Sequence, residues 1–136
     1  MKPIFVDTAG WMMMFDAADP QHDAARETRD RWLARGGRLV SSTFVLDETL
    51  TLMRVRLGRE SARNWWSIVS ASQRLVWFDV DADCRKDALK WFFKLEDRRL
   101  SFTDCTSFAL MKKHGVKVAF TSDRHFRQAR FGVVPD

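Results

Sequence analysis

Four carboxylates, Asp7, Glu48, Asp104 and Asp123, stand where this chain could do chemistry. Asp7 directly follows the apolar run Ile4-Phe5-Val6, and Asp123 lies two residues past Thr121, at the end of another short run. Glu48 and Asp104 fall in the opening turns of two helical patterns. Taken singly, an acid at a helix start reads as a cap or as a partner of the helix dipole, and Glu48 reads as a solvated helix residue. Taken together they read differently, because carboxylates brought close raise one another's pKa and cost stability unless a cation neutralises them. Ligands that are all oxygen suit Mg²⁺ or Mn²⁺ rather than Zn²⁺.

That reading depends on elements that bring distant acids together. Lys2 to Val6 reads as a buried strand, followed at Asp7-Thr8 by a helix cap and the apolar turn Trp11 to Phe15. After a break at Pro20, Asp23 to Arg35 reads as a charged helix stopped by Gly36-Gly37, and Arg38 to Ser42 as a second strand. Leu46, Leu50, Met53 and Leu57 recur on one helical stripe that ends at Gly58, and Arg59 to Ser72 forms another helix. Leu75 to Val80 is a strand, and Cys84, Ala88, Trp91, Phe92 and Leu95 mark an amphipathic helix. A helix over Thr103 to His114 follows, then a strand over Lys117 to Thr121, a short helix over Asp123 to Arg130 and a last strand over Phe131 to Val134. Strands alternating with helices predict an α/β fold whose parallel sheet is covered on both faces by right-handed crossovers. In such a sheet the strand C-termini and helix N-termini share one edge, and all four acids map to it.

The same residues carry a family resemblance. Ile4-Phe5-Val6-Asp7-Thr8, Val45-Leu46-Asp47-Glu48, Leu100-Ser101-Phe102-Thr103-Asp104 and Phe120-Thr121-Ser122-Asp123-Arg124-His125-Phe126 resemble, in order, the motifs of PIN-domain nucleases. The resemblance extends over essentially the whole chain and is strongest to the VapC-like ribonuclease toxins of bacterial toxin-antitoxin pairs. It implies a three-layer α/β/α fold with a central parallel sheet of about five strands. Asp7, Glu48, Asp104 and Asp123 become its acidic metal site, with Ser101, Thr103 and Thr121 as hydroxyl helpers. It further implies divalent-metal cleavage of RNA to 5′-phosphate and 3′-hydroxyl products, a small antitoxin partner and homodimerisation. Asp47 adjoins Glu48, but neighbours on a helix point about 100° apart, so one of the two faces the site and the motif selects Glu48. Asp97, shortly before Ser101, is a further candidate as an outer metal ligand.

Composition fits this picture. At 136 residues, 46% hydrophobic and 30% charged, the chain is expected to form one domain over residues 1–136 that needs no disulfide. Cys84 and Cys105 lack metal or redox spacing and read as buried small hydrophobes. The longest uncharged stretch, Asn64 to Gln73, is about half the roughly 20 apolar residues of a membrane span, and Asp7 interrupts the N-terminal apolar run too early for a signal peptide. A cytoplasmic protein is expected.

Setting the four acids aside leaves 23 basic against 14 acidic side chains, an excess suited to a nucleic-acid backbone. Arg54, Arg56, Arg59 and Arg63 form one candidate contact group, and Arg124, His125, Arg127 and Arg130 another. Of the six Trp and eleven Phe, most sit at core spacing, with room for a base-stacking platform.

Two other functions compete with a metal nuclease. A metal-free ribonuclease would need a His acid-base pair, and of His22, His114 and His125 only His125 lies near the acidic rim. A non-catalytic RNA- or protein-binding module would have structural acids. Finally, Trp11-Met12-Met13-Met14-Phe15 cannot all face one core from a single helix. The segment is expected either to be buried from both sides or to leave residues for a second copy or for a groove that takes an antitoxin helix.

Overall fold

The computed structural model describes residues 2–136. Strands β1 (Ile4–Val6), β2 (Leu39–Ser42), β3 (Leu75–Phe78), β4 (Val118–Phe120) and β5 (Gly132–Val134) form one parallel sheet in the order β3-β2-β1-β4-β5. Helices α1 (Thr8–Phe15), α2 (His22–Ala34), α3 (Thr43–Leu57) and α4 (Arg59–Ala71) connect the first three strands. Helices α5 (Ala82–Lys94) and α6 (Phe102–His114) lead to β4, and α7 (His125–Gln128) to β5. The expected elements are present, with most strands a residue or two shorter at their ends than the apolar runs suggest.

The order fixes where a site can form. From β1 the chain winds outward through β2 and β3, then crosses back to place β4 on the other side of β1. The winding therefore reverses between β1 and β4, and a crevice opens outside their C-terminal ends. Asp7 follows β1 there, and Thr121 follows β4.

One glycine lets α1 close on this crevice. A Cβ at Gly10 would stand 2.1 Å from the Phe120 carbonyl oxygen and 3.0 Å from the Val6 side chain. Only a hydrogen at this position lets the first turn of α1 rest on the end of β4, which keeps Asp7 beside Thr121.

The Trp11–Phe15 segment is buried from both sides within one chain. Trp11, Met12, Met13 and Met14 are all 3% exposed or less, because α1 is a central helix, packed on the sheet and enclosed by α2 and α3. Trp11 meets Trp65 edge to face at 5.6 Å, and its Nε1 donates to Ser41 Oγ at 3.4 Å. The expectation that this segment leaves a groove for an antitoxin, or a face for a second copy, is corrected on this ground.

On α3 Met53 is buried as expected, but the rest of the buried face lies one position earlier than the predicted stripe. The buried residues of this helix are Val45, Thr49 and Met53, while Leu46, Leu50 and Leu57 pack half-buried around them. Polar Thr49 is fully buried because its hydroxyl donates to Thr8 Oγ1 at 3.2 Å. Cys84 and Cys105 are free and buried, as the sequence suggests. Among the described residues, no helix is long and apolar enough to cross a membrane.

Replacing Gly10 with Ala is expected to destabilise the protein by about 1–3 kcal/mol, the usual cost of overpacking, because the obstructing atom is backbone. A lower denaturant midpoint at unchanged slope would report this. An unchanged midpoint would mean that α1 is not seated tightly on β4.

Candidate active site

Each acid reaches the crevice for a local reason. Asp7 is the N-cap of α1, and its Oδ1 accepts from the Gly10 amide at 2.8 Å. Its Oδ2 accepts from the Thr121 hydroxyl at 2.6 Å. Thr121 Oγ1 in turn accepts from the Asp123 amide at 2.9 Å, so a single hydroxyl links the ends of β1 and β4 to the loop that carries Asp123. Asp104 lies in the first turn of α6, whose N-cap Ser101 accepts from the Asp104 amide at 3.0 Å. Glu48 lies in the second turn of α3, where it is exposed.

A cavity of about 350 Å³ is lined by all four acids, together with Ser101, Thr103, Arg56 and Arg99. Asp47 is not in its wall, as the angle between helix neighbours requires. A larger cavity of about 770 Å³, beside Trp91, Lys112 and Lys117, has no carboxylate in its lining and sits near the start of β4, at the opposite edge of the sheet. Size alone would misplace the chemistry.

The acids are electrostatically strained. Burial pushes the Asp7 carboxyl up to about 7 against the opposing pull of its Thr121 and Gly10 hydrogen bonds, and the charges of Asp123 and Glu48 add to the rise. Asp104 is pushed up to about 8 by burial and then by neighbouring Asp123. This donor set fits a hard divalent cation, which would offset the repulsion that the fold imposes. Another buried atom in the cluster, Nδ1 of His125, has no hydrogen-bond partner.

Other candidates lie elsewhere. Asp97 is not in the cavity wall: its Oδ2 accepts from Arg124 at 2.9 Å, His125 Nε2 at 3.0 Å and Gln128 at 3.3 Å, and its Oδ1 from the Arg99 amide at 3.0 Å. These donors, the Arg99 amide first, hold its carboxyl well below the usual carboxylate range. Of the two basic groups, only Arg56 lines the acidic cavity. Arg54, Arg59 and Arg63 border a separate shallow groove with Trp66, Arg124 and Arg127 pair with Asp97 and Asp136, and Arg130 lines the larger cavity. Sequence reasoning passed over Arg99, although the Arg98-Arg99 pair just before the Ser101 motif was an available signal. His22 Nδ1 donates to the Met13 carbonyl and His114 stacks on Phe78, so each histidine has a different environment.

Comparison with known proteins identifies the family. A PIN domain is matched over residues 4–132. The chain belongs to the PIN-domain family. Among curated PIN relatives, the 23S rRNA-specific endonuclease VapC20 of Mycobacterium tuberculosis is 34% identical over 132 residues, covering 94% of this chain and 95% of the relative. Ribonuclease VapC26 of the same species is 26% identical over 97% of this chain and 100% of its own length. The crystal structure of VapC20, described as a sarcin-ricin loop cleaving toxin, superposes with a TM-score of 0.83 at 33% identity, over 94% of this chain and 95% of that one. The VapBC2 structure from Rickettsia felis, bound to a promoter DNA fragment, shares the PIN fold with a TM-score of 0.72 at 16% identity and 96% coverage of both chains.

The raised carboxyls set a pH dependence. Both bind protons more tightly in the folded chain than at their ordinary value of 3.8, so the folded state holds extra protons between pH about 4 and about 8. Stability of the metal-free PIN domain is therefore expected to fall as pH rises through that window. Thermal melts in chelator near pH 5 and near pH 8 test this, and Asp104→Asn should flatten the dependence. Melting temperatures that rise with pH across the window would contradict the electrostatic account.

Proposed function

We propose that residues 1–136 form one PIN nuclease domain that hydrolyses RNA phosphodiester bonds with a divalent metal ion, Mg²⁺ or Mn²⁺, as the toxin of a toxin-antitoxin pair. The observation that carries this reading is the meeting of Asp7, Glu48, Asp104 and Asp123 in one cavity. The names of the VapC relatives support RNA as substrate, and the 34% identity to VapC20 makes structured 23S rRNA the first RNA to try.

A bound divalent ion lowers the pKa of a water and offsets charge on phosphate. Asp7, Asp104, Asp123 and Glu48 would hold that ion in the crevice they line. Thr121 fixes the orientation of Asp7 by donating to Oδ2, and its link to the Asp123 amide keeps those two acids in register. Thr103 offers a hydroxyl in the cavity wall, and Ser101 holds the first turn of α6 in place. Arg56 and Arg99 line the same cavity as the acids and supply the positive charge that binds backbone phosphates there. A small antitoxin, a homodimer and a cytoplasmic location complete the reading. Since the Trp11–Phe15 segment is internal, the antitoxin docks on another surface.

Asp7→Asn and Asp104→Asn are each expected to lower cleavage of 23S rRNA by more than about 100-fold, beyond the usual effect of an outer-shell partner. The double variant should lose little more, since the acids act as a unit. Full activity in either folded variant would remove the acids from the chemistry. In salt titrations of single-stranded RNA binding by Asp104→Asn protein, Arg56→Ala and Arg99→Ala should each reduce the log-log slope by roughly 0.7. An unchanged slope would place the RNA elsewhere.

A further inference from the structure

His125 is the one group in the acidic cluster that neither the oxygen-only ligand set nor the core explains. It is 5% exposed, and its ring lies among three acids, with Nε2 3.0 Å from Asp97 Oδ2 and Nδ1 2.7 Å from Asp123 Oδ1 and 3.5 Å from Asp104 Oδ2. The two faces of the ring are differently employed. Asp97 also accepts from Arg124 and Gln128 and, being ionised, can only accept, so Nε2 must carry the proton of the 3.0 Å bond. In the neutral ring that leaves Nδ1 as a bare lone pair. This atom is buried and lacks a well-directed hydrogen bond, despite the nearby Asp123 oxygen, which already accepts from the His125 amide at 2.9 Å. A buried lone pair beside two carboxylate oxygens is unfavourable unless a proton or a metal cation lies between them.

We infer that His125 Nδ1 is a nitrogen ligand of the divalent ion, sharing it with Asp104 and Asp123, and that Asp97 is the positioning residue that orients the ring. One ligand atom from each of Asp104, Asp123 and His125 lies within 4.8 Å of the others, a spacing that one ion can span. A metal-bound imidazole usually donates its second ring N–H to a carboxylate, which fixes the tautomer and the ring plane, and Asp97 makes that contact. Asp97 is itself held by donors from two segments, so the ring has little freedom to turn away. The inference adds to the proposed metal nuclease a ligand chemistry that a set of four carboxylates lacks. Imidazole favours the later first-row ions over Mg²⁺, so the site should discriminate towards Mn²⁺ more than carboxylates alone would.

Pulsed electron paramagnetic resonance of the protein loaded with Mn²⁺ alone reads the ligand directly. Imidazole nitrogen coupling to the ion is expected in the wild type and should vanish in His125→Asn. Calorimetric titration with Mn²⁺ and with Mg²⁺ should show the ratio of their affinities falling about 10-fold in His125→Asn. In Asp97→Asn, Mn²⁺ affinity should weaken about 10-fold with the nitrogen coupling diminished. A wild-type spectrum without nitrogen coupling overturns the inference whether or not either variant folds, and so does coupling that survives in His125→Asn. The two readings separate cleanly: nitrogen coupling in a protein that cuts no RNA would defeat the nuclease proposal alone, and RNA cleavage with Mn²⁺ but no coupling would defeat only the histidine ligand.

Discussion

The hydroxyl of Thr121, donating to Asp7 Oδ2 while accepting from the Asp123 amide, is the contact on which the site depends. It spans the point where the winding of the sheet reverses, and joins residues far apart in sequence. Without it Asp7 would be a buried carboxylate with one amide partner. With it, Asp7 is held at the floor of the cavity despite a burial cost that raises its carboxyl to about 7. The close seat of α1 on the Phe120 carbonyl, which Gly10 permits, keeps the two partners within reach. Packing and polarity thus act on the same few atoms.

The polar residues that frame this contact perform two tasks. Asp7 and Ser101 cap helices, and those caps set the direction in which α1 and α6 approach the crevice. Each cap satisfies an amide that a helix start would otherwise leave unpaired. Asp123 does similar work in its loop, where its Oδ1 accepts from the His125 amide. A structural role for Asp7 and for Asp123, the reading an acid at a helix start invites when taken singly, is therefore compatible with a shared site. In Asp7 the fold uses one carboxylate both to start a helix and to add to the concentrated negative charge.

The alternation of apolar runs and helical patterns was enough to read the parallel sheet, and the ordered motifs were enough to select the four acids that line the cavity. What escaped were features governed by contact rather than period. Thr49 is polar yet as fully buried as Val45 on α3, because a hydroxyl from a distant segment accepts its proton. The Trp11–Met14 run looked too apolar for one helix face because a single face is all that periodicity can assume, whereas α1 has core on both sides. Asp97 and His125 are distant in sequence and gain meaning only when α7 folds against the loop before α6. Arg99 likewise acquires its place from that loop.

The two thiols carry a consequence of a different kind. Cys84 on α5 and Cys105 on α6 are both buried in the helix pair on one side of the sheet, and Cys84 Sγ contacts the Thr106 carbonyl across it. Burial pushes the Cys105 thiol up to about 12 and raises that of Cys84 as well, so little thiolate exists near neutral pH while the pair is closed. Alkylating reagents therefore see these sulfurs only when α5 and α6 part. The rate of modification becomes an internal clock for local opening, and α6 carries Asp104, so the same clock times how often one wall of the acidic crevice comes apart.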